Sequence, residues 1–527
     1  MRALARIIFS EEILFMIKIY TNKESFQYDL HSLIKAFYPD QDVKVIQEGE
    51  PNAGEQYVEV FFFEEKIEVI LAANADGGKK QYTNLVKVEN CDEATGVHTY
   101  KNRCKLALYQ DLCDYSGKTL PWGNLTGIRP TKLPMGMLAD GMSDAEIIAK
   151  LQETHAVSDE KAALSLDIAK REKALLDQIH YQDGYSLYIG IPFCPTTCLY
   201  CSFTSYPIVI WKKRMQEYLE ALYKEIQYVS EAYKDKILDT VYIGGGTPTT
   251  LEAEELDWLL TRVRDAFDWS QVKEFTVEAG RADSITKEKL EVLKKHGVTR
   301  ISVNPQTMKD ETLKAIGRRH TVQQVKDAYV MAREVGFDNI NMDIILGLPG
   351  ELEVDVENTI EEIKKLDPDS LTVHSLAIKR ASKLSQWIEE NGIATLKNTD
   401  RTMEIAAAGA EAMQMQPYYL YRQKNMSGNF ENVGYARDGK YGIYNILIME
   451  EVQTIVALGA GSITKRVFPD GRIERCDNVK DVALVKDELI NKAPNSGIIR
   501  KGNDIQIVFG LQVADVRKSV EDYLNNL

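Results

Sequence analysis

Between residues 186 and 373 the chain repeats one pattern: a short apolar run, then an amphipathic stretch with helical spacing. The runs are Ser186–Ile191, Thr240–Ile243, Glu274–Val277, Arg300–Val303, Asn339–Ile345 and Ser370–Val373. Met215, Leu219, Leu222 and Ile226 show the helical spacing between the first two. This alternation is a strong constraint, because successive strands joined by helices must pair in parallel. It predicts an α/β fold whose core, over residues 181–400, is a partial (β/α)6 barrel. Ligands of such sheets gather at the carboxyl ends of the strands, so chemistry is expected just after each run.

Three cysteines follow the first run within eight residues, at Cys194, Cys198 and Cys201. A C-x3-C-x2-C array can hold three irons of a four-iron cluster, leaving the fourth iron open to another ligand. Iron–sulfur clusters ordinarily take four thiolates, so a missing one points to a cluster that does chemistry. Structural zinc wants four ligands at paired spacing, and no partner C-x2-C is present.

The other strand ends are polar too. Gly244-Gly245-Gly246-Thr247-Pro248 follows the second run, and glycines let a backbone approach a ligand closely. The spacing matches neither a P-loop nor a dinucleotide fingerprint. Glu278 ends the third run, placed to accept bonds from ribose hydroxyls. Asn304 and Gln306 end the fourth, Asp343 lies near the end of the fifth, and His374 ends the sixth. A lone histidine there is more often a hydrogen-bonded structural residue than a catalyst, and His320 reads equally as a solvated loop residue. Arg318 can grip a carboxylate bidentately. Arg319, Lys379, Arg380, Arg422 and Lys424 add positive charge on neighbouring loops, although Lys379 reads first as a solvated surface charge.

Outside the barrel, residues 1–120 read as an α+β domain, with a helix over 25–38 and paired strands at Tyr57–Phe63 and Ile67–Ala72. Residues 121–180 read as a linker or docking loop followed by helices, the first opened by a capping box at Ser143 and Glu146. Residues 401–527 read as a mixed α/β region that covers the substrate. A helix is expected near Arg401–Met415, strands near Tyr441–Ile448 and a last helix near Ala514–Leu524. A net charge of −15 argues against a nucleic-acid partner. No apolar run is long enough to span a membrane. Glu11 and Glu12 interrupt any signal-peptide core, and translation from either Met1 or Met16 suits the strand-like segment that follows. Seven cysteines, an odd number over so long a chain, argue against a disulfide framework, and the four outside the array, Cys91, Cys104, Cys113 and Cys476, are scattered and read as reduced thiols. A cytoplasmic location is expected, where thiols stay reduced.

At these residues the chain resembles the radical S-adenosylmethionine superfamily, and within it the oxygen-independent coproporphyrinogen III dehydrogenase family. The motifs are Tyr188-Ile189-Gly190-Ile191-Pro192-Phe193-Cys194, the cysteine array, Gly244–Pro248, Glu278, Val303-Asn304-Pro305-Gln306, Ile316-Gly317-Arg318 and Asn341–Pro349. They cover about residues 185–465. The N-terminal region and Tyr421–Asn429 resemble the HemZ-like branch of Gram-positive bacteria.

The resemblance implies that Cys194, Cys198 and Cys201 ligate a [4Fe–4S] cluster whose open iron chelates S-adenosylmethionine. The 5′-deoxyadenosyl radical, rather than any side chain, would then be the reactive group. It would abstract hydrogen from two propionates of coproporphyrinogen III in turn, giving vinyl groups, CO2 and protoporphyrinogen IX for haem biosynthesis. Tyr188 would flank the cluster and cofactor. Gly245 and Gly246, with Thr247 beside them, would meet the methionine end, and Glu278 the ribose. Gln306, Arg318 and Asp343 correspond to residues near a second S-adenosylmethionine in the family. The partners implied are a tetrapyrrole substrate and an electron donor such as flavodoxin or ferredoxin. Two positions depart from the common pattern: Phe203 stands where many dehydrogenases have cysteine, and Gly190 where histidine is common. A related branch, similar to haem chaperones that bind and deliver haem without decarboxylating, also has phenylalanine after the array.

Overall fold

The computed structural model describes residues 16–480 except 40, 48, 50–56, 63–65, 76–77, 88–96, 128, 182, 204, 380–381, 393–395 and 424–429, together with 482, 498–501 and 504–507. The expected last helix at Ala514–Leu524 lies outside these residues. The chain divides into two units, Met1–Lys170 with Tyr421–Phe430, and Arg171–Leu420 with Glu431–Leu527.

The first unit holds β1 (Ile17–Thr21), α1 (Gln27–Phe37), β2 (Val43–Ile46), β3 (Tyr57–Phe62), β4 (Lys66–Ala75) and β5 (Gly78–Lys87). The strands form one sheet in the order β2-β1-β3-β4-β5. Helix α1 buries Leu30, Leu33, Ile34 and Phe37, the stripe expected from its i, i+3, i+4, i+7 spacing. Helix α2 (Val97–Ser116) adds Leu108 and Leu112 to the same core. The stretch after it is docked rather than free, since Trp122 and Asn124 are buried. Three helices follow: α3 (Lys132–Ala139), α4 (Asp144–His155) and α5 (Asp159–Leu176). The expected capping box opens α4, with Ser143 and Glu146 bonding reciprocally.

The second unit is built on β6 (Gly184–Ile191), β7 (Phe193–Cys194), β8 (Tyr206–Pro207), α6 (Ile208–Trp211), α7 (Met215–Ala232), β9 (Ile237–Gly245), α8 (Ala253–Ala266) and β10 (Glu274–Gly280). It continues through α9 (Lys287–Lys295), β11 (Arg300–Val303), α10 (Asp310–Ala315), α11 (Val322–Val335), β12 (Ile340–Leu346), α12 (Glu353–Leu366) and β13 (Ser370–Ser375). Strands β6, β9, β10, β11, β12 and β13 pair in parallel in that order, the open, partial barrel that the alternation requires. Helix α7 shows why the pattern works: Met215, Leu219, Leu222, Ile226 and Val229 are all buried on one face. Each such side chain contributes about 1.5–3 kcal/mol relative to exposure.

The rest of the chain is α13 (Leu384–Asn391), α14 (Asp400–Ala412), β14 (Gln416–Tyr421), β15 (Asn432–Ala436), α15 (Ile443–Glu450), β16 (Thr454–Leu458), β17 (Ile463–Val467), β18 (Ile473–Asp477) and the hairpin β19 (Ile498–Lys501) with β20 (Asp504–Ile507). Strand β16 joins the barrel as a seventh parallel strand beside β6, while β15 closes antiparallel on β13. The strands expected at Tyr441–Ile448 are instead helix α15. A continuous apolar run reads the same for a buried strand or a buried helix, and here Tyr444, Ile446, Leu447 and Glu450 are buried along the helix. No helix among the described residues is long and apolar enough to cross a membrane.

Candidate active site

The cysteine array lies on the loop that follows β6. Phe193 is fully buried and packs edge-on against Tyr218 at 5.1 Å, which anchors the start of the loop. Strand β7 then pairs with β8, Cys194 opposite Pro207. Between Cys198 and Cys201, Leu199 and Tyr200 pack on an apolar cluster that includes Leu313, Ile316 and Leu348. The Leu199 N–H donates to the Ile316 carbonyl at 3.0 Å, and the Thr196 hydroxyl to the Gly317 carbonyl at 2.8 Å.

Arg281, just past the end of β10, fastens the loop from the other side. Its Nη1 donates to the carbonyl and the hydroxyl of Thr196, at 2.9 and 2.8 Å, and lies 3.8 Å from Cys198 Sγ. Its Nη2 pairs with Asp283 at 2.7 Å. His320 is buried with Nδ1 3.5 Å from the same carboxylate, so it is not the solvated loop residue that its surroundings in sequence suggest. Burial pushes the Cys194 thiol up to about 11, and raises Cys201 as well. Thr247 Oγ1 stands 3.5 Å from Cys194 Sγ.

The glycine segment continues β9 past this loop. The Gly246 N–H donates to the Ile191 carbonyl and the Thr247 N–H to the Phe193 carbonyl, at 2.8 and 2.7 Å. Gly245 has φ +109, and a Cβ on Gly246 would fall 2.5 Å from the Phe193 oxygen. Glu278 lies alongside. It accepts from the Tyr242 hydroxyl at 2.6 Å, and burial, partly offset by that bond, pushes its carboxyl up to about 7. Tyr188, Tyr242 and Tyr444 stack next to it, the closest pair with ring centroids 4.4 Å apart.

On the opposite strands, Asp343 accepts from Asn341 at 2.6 Å and lies 3.9 Å from His374 Nε2. Burial alone would raise its pKa, but His374 and Asn341 hold it below the ordinary value. Gln306 sits at φ +67 and is held by backbone bonds to Asp343 and Ile345. Its Oε1 and Asn304 Oδ1 are buried without a protein partner, a costly state unless a ligand or water completes it. Arg318 donates to the Asn304 carbonyl at 2.5 Å and to the Tyr200 hydroxyl at 3.2 Å.

The sequence profile of the Radical SAM superfamily matches residues 188–363, from β6 through most of α12. The chain is 43% identical, over 423 residues, to the oxygen-independent coproporphyrinogen-III oxidase-like protein HemZ of Bacillus subtilis (strain 168), covering 79% of this chain and 84% of that protein. The chain belongs to the radical SAM coproporphyrinogen oxidase-like family. It is also 39% identical over 195 residues to the heme chaperone HemW of the same organism, 37% of this chain and 51% of the chaperone. The solved coproporphyrinogen III oxidase HemN of Escherichia coli superimposes with a TM-score of 0.48 at 20% identity, over 66% of this chain and 77% of that one.

Membership of the radical SAM family implies a [4Fe–4S] cluster and S-adenosylmethionine, and the residues present suit both. Three soft thiols share one clamped loop, and a buried thiol that is hard to ionise becomes a thiolate on metal ligation. No three His, Cys, Asp or Glu side chains among the described residues converge on a single ion, but the thiolates of a cluster each hold a different iron. The Gly245–Gly246 segment, the acceptor Glu278 and the unpartnered Gln306 and Asn304 oxygens form a polar cradle at the strand ends.

The expected site residues therefore lie on β6, β9, β10, β12 and β13 and on the loops that follow these strands and β11, with two exceptions among the charges. Arg422 belongs to the first unit, where it donates to the Leu125 carbonyl at 2.5 Å and lies over Trp122. Arg318 is buried on protein acceptors rather than presented to a substrate carboxylate. Arg380 and Lys424 lie outside the described residues. Lys379 is half-buried, its Nζ 5.4 Å from the exposed Phe203 ring, and Arg319 is exposed. Sequence reasoning missed Arg281, Asp283, Tyr242 and Tyr444. The strand-end rule could have found Arg281, directly after Gly280; nothing local marks Tyr444.

Proposed function

We propose that this chain catalyses the oxygen-independent oxidative decarboxylation of coproporphyrinogen III, converting two propionates to vinyl groups and giving protoporphyrinogen IX. The observation that carries the reading is the 43% identity to an oxidase-like relative across 84% of that relative's length. In this reading Cys194, Cys198 and Cys201 hold the cluster. Tyr188, Gly245, Gly246, Thr247 and Glu278 hold S-adenosylmethionine, and Gln306, Arg318 and Asp343 border a second cofactor position. The cluster and cofactor together supply a one-electron cleavage and a radical able to take hydrogen from a propionate.

The chain's own residues position and exclude. Arg281 and Thr196 fix the loop, the tyrosine stack walls one side of the cradle, and Glu278 orients the ribose. Lys379 and Arg319 supply charge for substrate carboxylates, each charge-assisted bond contributing about 1.5–3 kcal/mol. A flavodoxin or ferredoxin supplies electrons.

Haem delivery is the second reading, favoured by the likeness to HemW and by Phe203, 70% exposed after the array. Against it, the likeness to HemW covers 37% of this chain, whereas the likeness to the oxidase-like relative covers 79%. The deciding experiment incubates reconstituted, reduced protein with coproporphyrinogen III under strict anaerobiosis. Formation of 5′-deoxyadenosine and CO2 only with substrate supports decarboxylation. Bound substrate that is never decarboxylated, together with tight haem binding and transfer, overturns it.

A further inference from the structure

The segment that follows the cysteine loop carries a feature the proposed chemistry does not use. Helix α6 exposes two consecutive aliphatic side chains, Val209 at 82% and Ile210 at 71%. Adjacent residues on one helical turn point in different directions, so both lie in water only where the whole turn stands off the core. The turn is nevertheless firmly mounted. Trp211 packs on Phe193 and Tyr206, with centroids 6.3 and 5.6 Å away, and the Arg214 guanidinium lies 4.8 Å above its ring.

Two further observations sit at the same place. Lys212, Lys213 and Arg214 follow directly, three consecutive positive charges in a chain of net charge −15. Lys212 is partly answered by Glu252 at 2.7 Å and Arg214 by Glu217 at 3.2 Å, while Lys213 is exposed and Lys480 is exposed beside Tyr206, whose hydroxyl donates to the Lys480 carbonyl. The turn also adjoins the cysteine array. Cys194 lies opposite Pro207 in the β7–β8 pair, about 5 Å across, and α6 begins at the next residue.

From this we infer that the α6 turn, with Val209 and Ile210 at its centre and Lys212 and Lys213 on its rim, is the docking surface for an acidic flavodoxin-type electron carrier. The inference rests on the cluster assignment above. An acidic chain repels an acidic carrier overall, so a local basic rim is needed to steer it. The exposed edge of a bound flavin is an apolar dimethylbenzene ring, which suits a bare aliphatic turn better than a charged one. Docked there, the carrier passes one electron from its reduced flavin to the cluster; the carrier is oxidised by one and the cluster reduced by one, with no atom transferred.

The test compares the full-length reconstituted protein with Val209→Ser, Ile210→Ser and Lys213→Glu variants under anaerobiosis. Cluster reduction is followed by loss of visible absorbance, driven either by a purified reduced flavodoxin or by dithionite, which needs no docking. Expected are about tenfold slower reduction by flavodoxin in Ile210→Ser and Lys213→Glu and a flatter salt dependence in Lys213→Glu. Iron and sulfide content and the dithionite rate should be unchanged. Flavodoxin rates equal to those of the unaltered protein in all three variants would overturn the inference. So would reduction by ferredoxin alone, or a dimer of this chain that dissociates on Ile210→Ser. Failure of the unaltered protein to assemble a cluster would instead remove the cluster assignment itself.

Discussion

Tyr242 donates its hydroxyl to Glu278 Oε1 across 2.6 Å, inside a stack of three tyrosines. The bond holds the carboxylate of β10 against the glycine segment of β9, and it favours the ionised form against a burial that pushes the pKa up to about 7. If Glu278 accepts ribose hydroxyls, S-adenosylmethionine affinity falls as pH drops through about 7, because a protonated acid is the weaker acceptor. Tyr242→Phe moves that midpoint upward. Glu278→Gln removes the pH dependence and weakens binding about 10–100-fold, matching a lost charge-assisted bond. Calorimetric titration from pH 6 to 9 measures all three, and identical profiles would sink the assignment.

Arg281 joins the array to Asp283. Arg281→Gln removes two bonds to Thr196 and breaks a largely buried ion pair, costing about 3–5 kcal/mol. Reconstituted protein should hold less iron and sulfide and lose its visible absorbance faster in air. Unaltered cluster content and persistence would show that the loop is held by other contacts.

Gly246→Ala places a methyl 2.5 Å from the Phe193 oxygen. The backbones of β7 and the glycine segment must part, a strain of about 1–3 kcal/mol. Chemical denaturation should reveal that loss, with lower cluster incorporation beside it. Gly127→Ala, where a Cβ meets nothing within 4 Å, is the control and should leave both measurements unchanged.

Glu225 offers a pH test away from the cradle. It is buried on α7, accepts from the Gly459 N–H at 2.7 Å, and burial pushes it up to about 7. The folded state therefore holds this proton between about pH 4.5 and 7 while the unfolded chain releases it, so the group's contribution to stability falls as pH rises through that window. Glu225→Gln keeps an acceptor and removes the charging cost. Stability should match the unaltered protein near pH 4.5 and exceed it by up to about 3 kcal/mol at about pH 8. Equal stability at both pH values would count against the raised pKa.

Legibility followed how local the signal was. The helices between the barrel strands were readable because each alternates between a core face and a solvent face over its own residues, as α7 does, and the strands because each is a short, almost wholly buried run set between two such helices. Helix α15 was misread because every residue of Ile443–Glu450 except Asn445 and Glu450 is apolar, and a mostly apolar, buried segment carries no such alternation. Strand β16 is a barrel member by pairing with β6 across about 270 residues of chain, a relation its own five residues do not encode.

The site divides the same way. Cys194, Cys198 and Cys201 are a spacing motif, and Glu278, Asp343 and His374 stand at strand ends, so the order of residues alone pointed to the radical SAM family and to the strand ends as the proposed site. What each polar group touches became visible through long-range packing: Arg318 on Asn304 and Tyr200, Arg281 on Thr196, Tyr242 on Glu278, and Arg422 in the other unit. The reason is physical. Chain connectivity sets which residues follow a strand, whereas the partners of a buried charge are set by desolvation and packing among segments distant in sequence.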